Sequence, residues 1–204
     1  MVGVIGPLVE GKRQLRGPLT SVALFGLGAV VGASITGVLV GLLGAGVQSL
    51  ADERALAIAV GAAGCFLLLA DLGVLGLRTP TLRRQTSSTW YRELGPRTAW
   101  PFWGLDLGLG FSTIRLSSLY WFMVLFVAAF VSPFLAPLVL AFYGLGLCVA
   151  LAAIVVEKSR RAGPITGSPG LGLLHAARSV RLASDVLLGL VSVAVVLAWG
   201  TTWL

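Results

Sequence analysis

Five apolar runs, at about 21–47, 55–77, 102–131, 134–156 and 183–203, dominate this chain and leave little room for any fold but a membrane one. An α-helix rises 1.5 Å per residue, so roughly 20 apolar residues cross a hydrocarbon core of ~30 Å, and each run reaches that length. Hydrophobic residues make up 57% of the 204 and charged residues only 11%, against about 25% charged in an average soluble domain. No polar segment is long enough to bury a core of its own. The expectation is an all-α integral membrane protein, a single domain over 1–204, with about five transmembrane helices.

The breaks between runs set the orientation. Ala51-Asp-Glu-Arg54 is a short acidic turn and Val131-Ser-Pro133 a tight uncharged one. Basic residues collect elsewhere: Lys12, Arg13 and Arg16 in the N-terminal tail; Arg78, Arg83, Arg84, Arg92 and Arg97 in a loop at about 78–101; Lys158, Arg160, Arg161, Arg178 and Arg181 in a loop at about 157–182. Cytoplasmic loops carry the excess of Lys and Arg, which places the N-terminus in the cytoplasm and the C-terminus outside. Trp199 and Trp203 then suit the outer interface, and Trp90, Trp100 and Trp103 the inner one. The first run is preceded by basic residues like a signal peptide, but it extends to about Val47, long enough to be a retained helix. Localisation in a bacterial cytoplasmic membrane follows as an expectation.

Fifteen basic against eight acidic residues raises the question of nucleic acid. The positive charges lie just beyond apolar runs, as in membrane loops, so nucleic-acid binding is not expected. The lipid bilayer is the expected partner. Leu171–Ala183 reads either as an amphipathic helix whose Arg178 and Arg181 meet anionic lipid headgroups at the cytoplasmic face, or as a lead-in to the last span. Cys65 and Cys148 fall inside apolar runs with no CxxC motif, and His175 is the single histidine. That composition holds neither a zinc site nor a histidine-based metal cage. No cofactor is expected. With no nucleophile beside a His, no paired carboxylates on one face and no phosphate loop, an enzyme is not expected either.

The third run is unlike the others. Gly104-Leu-Asp-Leu-Gly-Leu-Gly-Phe-Ser-Thr-Ile-Arg115-Leu-Ser-Ser-Leu-Tyr-Trp121 carries an Asp, three glycines, four Ser/Thr hydroxyls and an arginine. A charge at the bilayer centre costs roughly 2.5–3.5 kcal/mol on insertion scales, so Arg115 needs a partner, water or a function. The glycines weaken the helix beside it. Asp106 lies nine residues earlier, about 13 Å along a continuous helix, so pairing with Arg115 requires a break between them. Asp71 is a second possible charge partner, its simpler role being an interfacial carboxylate near Arg78. Ser112 and Thr113, with Ser117 and Ser118, either line a pore or bond their own i−4 carbonyls. Gly37, Gly41 and Gly44 are read as helix-packing surface, and Pro133 and Pro137 as marking a helix start.

A weak internal repeat relates two parts of the chain. Gly26-Leu-Gly-Ala-Val-Val-Gly-Ala-Ser34 aligns with Gly104–Ser112 at Gly26/Gly104, Leu27/Leu105, Gly32/Gly110 and Ser34/Ser112, and Gly61–Cys65 aligns with Gly144–Cys148. The repeat-like halves run over about 22–76 and 104–156. By the charge pattern their opening spans run parallel. Transporters are often built from such repeats, with the site between the copies.

Gly108-Leu-Gly-Phe-Ser-Thr-Ile114 and Leu140-Ala-Phe-Tyr-Gly-Leu-Gly-Leu-Cys148 resemble the transmembrane domain of the cytochrome c biogenesis protein CcdA and the thiol reductant carrier DsbD. That family has two related halves, each opening with a Gly-rich helix that carries a Pro-Cys motif. The resemblance covers about 104–156 and, more weakly, 22–76. The family's redox cysteines would fall near Thr36 and Ile114, where this chain has none, and the adjacent prolines are missing. Thiol exchange needs a thiolate and a resolving partner, so the resemblance implies a shortened relative keeping the scaffold without the electron-carrying role.

The functional expectation is a small transporter or permease for a polar or anionic solute, its binding or gating residues Arg115, Ser112, Thr113, Ser34, Thr36 and Asp106. Two alternatives stay open: a non-catalytic assembly subunit of a larger membrane complex, with other membrane subunits as partners, and a membrane thiol relay using Cys65 and Cys148.

Overall fold

The computed structural model describes residues 16–76, 93, 95–110, 118–160, 182, 184–195 and 197–198. These residues are helical throughout apart from turns, with no strand among them. Six helices carry the architecture: α1 Arg16–Leu50, α2 Glu53–Asp71, α3 Pro96–Leu109, α4 Leu119–Phe130, α5 Ala136–Arg160 and α6 Ser184–Val195. Three stretches are long and apolar enough to cross a membrane: Leu19–Leu50, Glu53–Asp71 and Ala136–Ala153.

Local chemistry explains most boundaries. The acidic turn ends α1 and starts α2, with Asp52 as N-cap: its carboxylate accepts from the Arg54 amide at 3.2 Å. An oxygen there satisfies one of the amide groups that a helix start leaves without an intrahelical partner. Val131-Ser-Pro133 separates α4 from α5, and Pro137 sits in the first turn of α5, where its missing N–H costs nothing. Two boundaries differ from the apolar runs. Helix α2 stops at Asp71 rather than near residue 77, because Gly73 (φ 72°) turns the backbone left-handed and its amide closes onto Ala70 O. Helix α3 begins at Pro96, inside the segment expected to be a loop up to 101, since Gly95 (φ 75°) and Pro96 make a good helix start.

The third run is not one helix. It is divided between α3, of 14 residues, and α4, of 12. At 1.5 Å per residue these are about 21 and 18 Å long, each shorter than a hydrocarbon core of ~30 Å.

The described helices fall into two compact units. The first holds α1 up to Thr36, α3, and α5 from Leu140 onward. Its core is Val22, Phe25, Ala29, Trp100, Trp103, Leu107 and Leu151, with the Trp100 and Trp103 rings edge to face at 5.1 Å. Helices α1 and α3 run parallel and touch backbone to backbone. Gly28 and Gly32 of α1 face Pro101, Leu105 and Leu109, while Gly104 and Gly108 of α3 face Phe25, Ala29 and Ala33. A Cβ built at Gly104 would stand 2.8 Å from the Ala29 nitrogen, and one at Gly108 2.7 Å from the Ala33 nitrogen. Two G-x-x-x-G pairs thus interlock, and only hydrogen at all four positions lets the axes come so close. Helix α5 packs antiparallel on α1 in the same unit, Gly144 against Ala29 and Cys148 against Gly26.

The second unit holds α1 from Gly37, α2, α4, the start of α5, and α6. Its core is Ala57, Val60, Leu67, Phe122, Ala129, Leu188 and Val195. Gly37 and Gly41 pack on Ala136, Pro137 and Pro133, and Gly44 on Ala128. Gln48 donates from Nε2 to Ala128 O at 2.9 Å and Val131 O at 3.3 Å, satisfying carbonyls at the end of α4.

Between Gly26 and Gly44 the side chains of α1 are sorted by size: the glycines, Ala29 and Ala33 face inward, while Leu27, Val31, Ile35, Leu39, Leu42 and Leu43 point outward. In water that arrangement would be unfavourable. In lipid it is the stable one, because tails are as apolar as leucine, and close backbone packing, not solvent exclusion, holds the helices together.

Candidate functional site

The interruption between α3 and α4 is built by ordinary helix-ending chemistry at unusual places. Gly110 adopts the left-handed conformation (φ 80°, ψ 1°), and its amide donates to Leu107 O at 3.2 Å, closing α3. Any residue with a Cβ would resist that conformation, so the third glycine of the stretch is what stops the helix. The last turn of a helix leaves carbonyls without intrahelical donors. One of them, Leu109 O, is met by Thr36 Oγ1 at 3.3 Å, and the same hydroxyl lies 3.2 Å from Gly32 O, so its proton is shared between the two. Ser34 donates to Val30 O at 2.9 Å, within its own helix.

The other end of the interruption is held from α2. Ser118 precedes α4 and is fully buried. Its side chain makes no capping bond to its own helix. Instead its amide donates to Asp71 Oδ2 at 2.6 Å and its hydroxyl to Asp71 Oδ1 at 2.7 Å. Both bonds are short, as bonds to a carboxylate are. Asp71 is only 2% exposed. A carboxylate at this position faces the positive end of the α4 dipole, the favourable end for negative charge.

Helix α6 brings two further polar groups into the same unit. A Cβ at Gly64 would meet Ser192 Oγ and Phe122, and one at Gly189 would lie 3.4 Å from Leu68. These two contacts fix an antiparallel register between α2 and α6. Seven residues beyond Gly64 is Asp71, and seven before Ser192 is Asp185, so the register brings the two aspartates to the same level of the helix pair. Asp185 is buried, and Ser192 returns its hydroxyl to Leu188 O at 2.7 Å.

The expected site residues fare differently. Arg115, Ser112 and Thr113 lie outside the described residues, as does Arg78. Ser34 and Thr36 lie on α1, part-buried, with their protons directed to backbone carbonyls while their lone pairs remain acceptors. Asp106 is half-buried on the last turn of α3. It cannot reach residue 115 along a continuous helix, because α3 ends at Leu109. Asp71 is buried and accepts from Ser118 at the start of α4. Cys65 is exposed and Cys148 half-buried; both are free thiols, and Cys148 Sγ lies 3.6 Å from Val22 O against Gly26. Among the described residues no three His, Cys, Asp or Glu side chains gather in a way that would hold a metal ion. Asp185 and Ser192 went unnoticed in the sequence. Their signal is polar residues seven apart, two helical turns, in the last apolar run.

Fold and side chains together define an all-helical membrane protein with a glycine-stopped interruption in one apolar run. No protein-family model, no curated protein and no solved structure matches the chain.

Proposed function

We propose that this chain is a multi-pass protein of the bacterial cytoplasmic membrane, N-terminus inside, acting as a small transporter or permease for a polar or anionic solute. The observation that carries the reading is the interrupted third run. Two half-helices too short to span are each finished by a side chain from another helix, Thr36 at the end of α3 and Asp71 at the start of α4. Irregular backbone at membrane depth is tolerated where it is buried in protein or lines a water-filled cavity, and discontinuous helices are how many transporters present backbone groups to solute. Arg115 falls in the joining segment and supplies the charge that binds or gates, with Ser112 and Thr113 as neighbouring hydroxyls. Ser34, Thr36 and Asp106 act from α1 and the end of α3. The scaffold is that of a shortened CcdA/DsbD-like relative without its redox cysteines.

The test is uptake of inorganic phosphate and of acetate into proteoliposomes. The wild-type protein takes up at least one of them above protein-free vesicles. Arg115→Leu lowers that uptake about tenfold or more, the worth of a charge-assisted bond of ~1.5–3 kcal/mol, while reconstituting in equal amount. Absence of uptake by wild type, or equal uptake by Arg115→Leu, refutes the reading.

A further inference from the structure

Helix α1 is longer than a bilayer is thick. Its apolar stretch Leu19–Leu50 has 32 residues, about 48 Å at 1.5 Å per residue, against a hydrocarbon core of ~30 Å. Large apolar side chains stand exposed along all of it, at Leu19, Leu27, Leu39, Leu43 and Leu50. A straight helix of that length would have to lean about 51° to stay within the core, outside the 0–40° that transmembrane helices adopt. What tilt does not absorb falls to a bend or to local thickening of the bilayer. Two arms of about 24 Å, leaning about 40° and 60°, together project ~30 Å, so a bend of ~20° suffices. In a core of ~37 Å both arms fit at about 40° and no bend is needed.

Helices bend sharply for few reasons: a proline, a Gly/Ser pair, a π-bulge, or a group intruding on the i→i−4 ladder. No proline lies between Leu19 and Leu50. An intrusion does, and it falls at the centre of the stretch, which lies between Ser34 and Ile35. The Ser34 hydroxyl donates to Val30 O at 2.9 Å, and the Thr36 hydroxyl to Gly32 O at 3.2 Å. In a regular helix each of those carbonyls already accepts the amide four residues on. A second donor on the same oxygen weakens the ladder and bends the helix.

Thr36 also reaches another helix of its own unit: its hydroxyl lies 3.3 Å from the carbonyl of Leu109, the last residue of α3. A hydroxyl has one proton to give. With α1 straight, the Thr36 amide serves Gly32 O and the hydroxyl goes to Leu109 O. With α1 bent, that amide draws away, and the hydroxyl takes its place on Gly32 O. We infer that Ser34 and Thr36 form a hinge in α1 that bends as the bilayer thins, and that the Thr36 hydroxyl passes the bend to the end of α3 by releasing Leu109 O.

The test is oriented-sample solid-state NMR on the full chain, isotope-labelled, in phosphatidylcholine bilayers with cores of about 30 Å and about 37 Å. In the thin bilayer the arms of α1 on either side of Ser34–Thr36 differ in tilt by ~20°, and in the thick one by less than ~10°. The Leu109 carbonyl-carbon shift moves upfield on thinning, as the bond from Thr36 is given up. In Ser34→Ala/Thr36→Ala the ladder is regular, so the arms keep one tilt to within ~10° in both bilayers. There the Leu109 shift stays at its upfield value in both. Thr36→Ser, which retains both hydroxyls, behaves as wild type. Equal arm tilts in the thin bilayer, a bend of the same size in both, or a bend undiminished in the double variant overturns the hinge. A Leu109 shift indifferent to thickness overturns its link to α3. Should the double variant fail to fold, the wild-type comparison of the two bilayers still decides. No solute enters the measurement, so its outcome stands apart from the transport reading.

Discussion

Replacing Gly104 by alanine adds one methyl group where α3 meets α1, and the structure says how much that should cost. The new Cβ would stand 2.8 Å from Ala29 N and closer still to the Phe25 carbonyl oxygen. Ordinary contact needs about 3.5 Å, so the axes must separate by roughly 0.7 Å or more. Both obstructing atoms are backbone, and no rotamer change relieves the overlap. Overpacking of this kind costs about 1–3 kcal/mol, and a rigid wall belongs at the upper end. Alanine returns about 1 kcal/mol in helix propensity. The net expectation is a loss of about 2 kcal/mol, ~30-fold in the folded-to-unfolded ratio. Gly46, on the same face-rich helix α1, has no atom within 4 Å of an added Cβ. Gly46→Ala therefore stabilises, by about 0.5–1 kcal/mol. Gly28→Ala obstructs the same crossing from the opposite helix, meeting Pro101 and Leu105. The double variant Gly28→Ala/Gly104→Ala should lose less than the sum, because helices already pushed apart accommodate the second methyl. Reversible denaturant titration in micelles, read by fluorescence of the buried Trp100 and Trp103, measures all four proteins. Equal behaviour of Gly104→Ala and Gly46→Ala would show that α1 and α3 do not interlock.

Two smaller perturbations probe other joints. Thr36→Val removes the hydroxyl shared between Gly32 O and Leu109 O and should cost about 0.5–1.5 kcal/mol in the same titration, with Thr36→Ser recovering most of it; a neutral Thr36→Val contradicts the cap on α3. Gly64→Ala should destabilise by about 1–3 kcal/mol through Ser192 and Phe122. Ser192→Ala alone is nearly silent, because its hydroxyl bonds its own i−4 carbonyl. Combining the two should recover part of the Gly64 loss, and strict additivity would deny the contact between α2 and α6.

Helix positions were legible in the sequence because hydropathy is a local property and the turn chemistry is strong. Asp52 at the first turn, and Ser132-Pro133 at the second, stand where the structure places the breaks. The packing role of Gly37, Gly41 and Gly44 was legible for the same reason: small residues spaced at helical turns line one face. Helix length in the third run was harder. Fourteen and twelve residues on either side of a left-handed glycine read, by hydropathy alone, as one long span. What no local pattern carries is partnership. Asp71 reads as an interfacial carboxylate near Arg78 or a charge partner, and nothing around it names Ser118, 47 residues downstream, as a donor. Thr36 reads as a solute-binding or gating hydroxyl, and nothing around it names Leu109 O, 73 residues on, as its second acceptor. Asp185 escaped notice because its relation to Asp71 exists only through the antiparallel register of α6 on α2.

The separation of Asp71 from Ser118 also bears on how the protein is made. Ribosomes synthesise α2 first, so for the time needed to add 47 more residues the carboxylate has no Ser118 to accept from. Holding an aspartate in hydrocarbon costs about 2.5–3.5 kcal/mol on insertion scales. Its place on the last residue of α2 resolves this: until α4 arrives, the side chain can wait at the lipid–water boundary, where that cost is small. The two bonds from Ser118 can form only once α4 has been made. An aspartate one or two turns earlier in α2 would stand at Leu67 or Gly64, among core side chains, and would burden insertion of the helix with no such boundary to wait at.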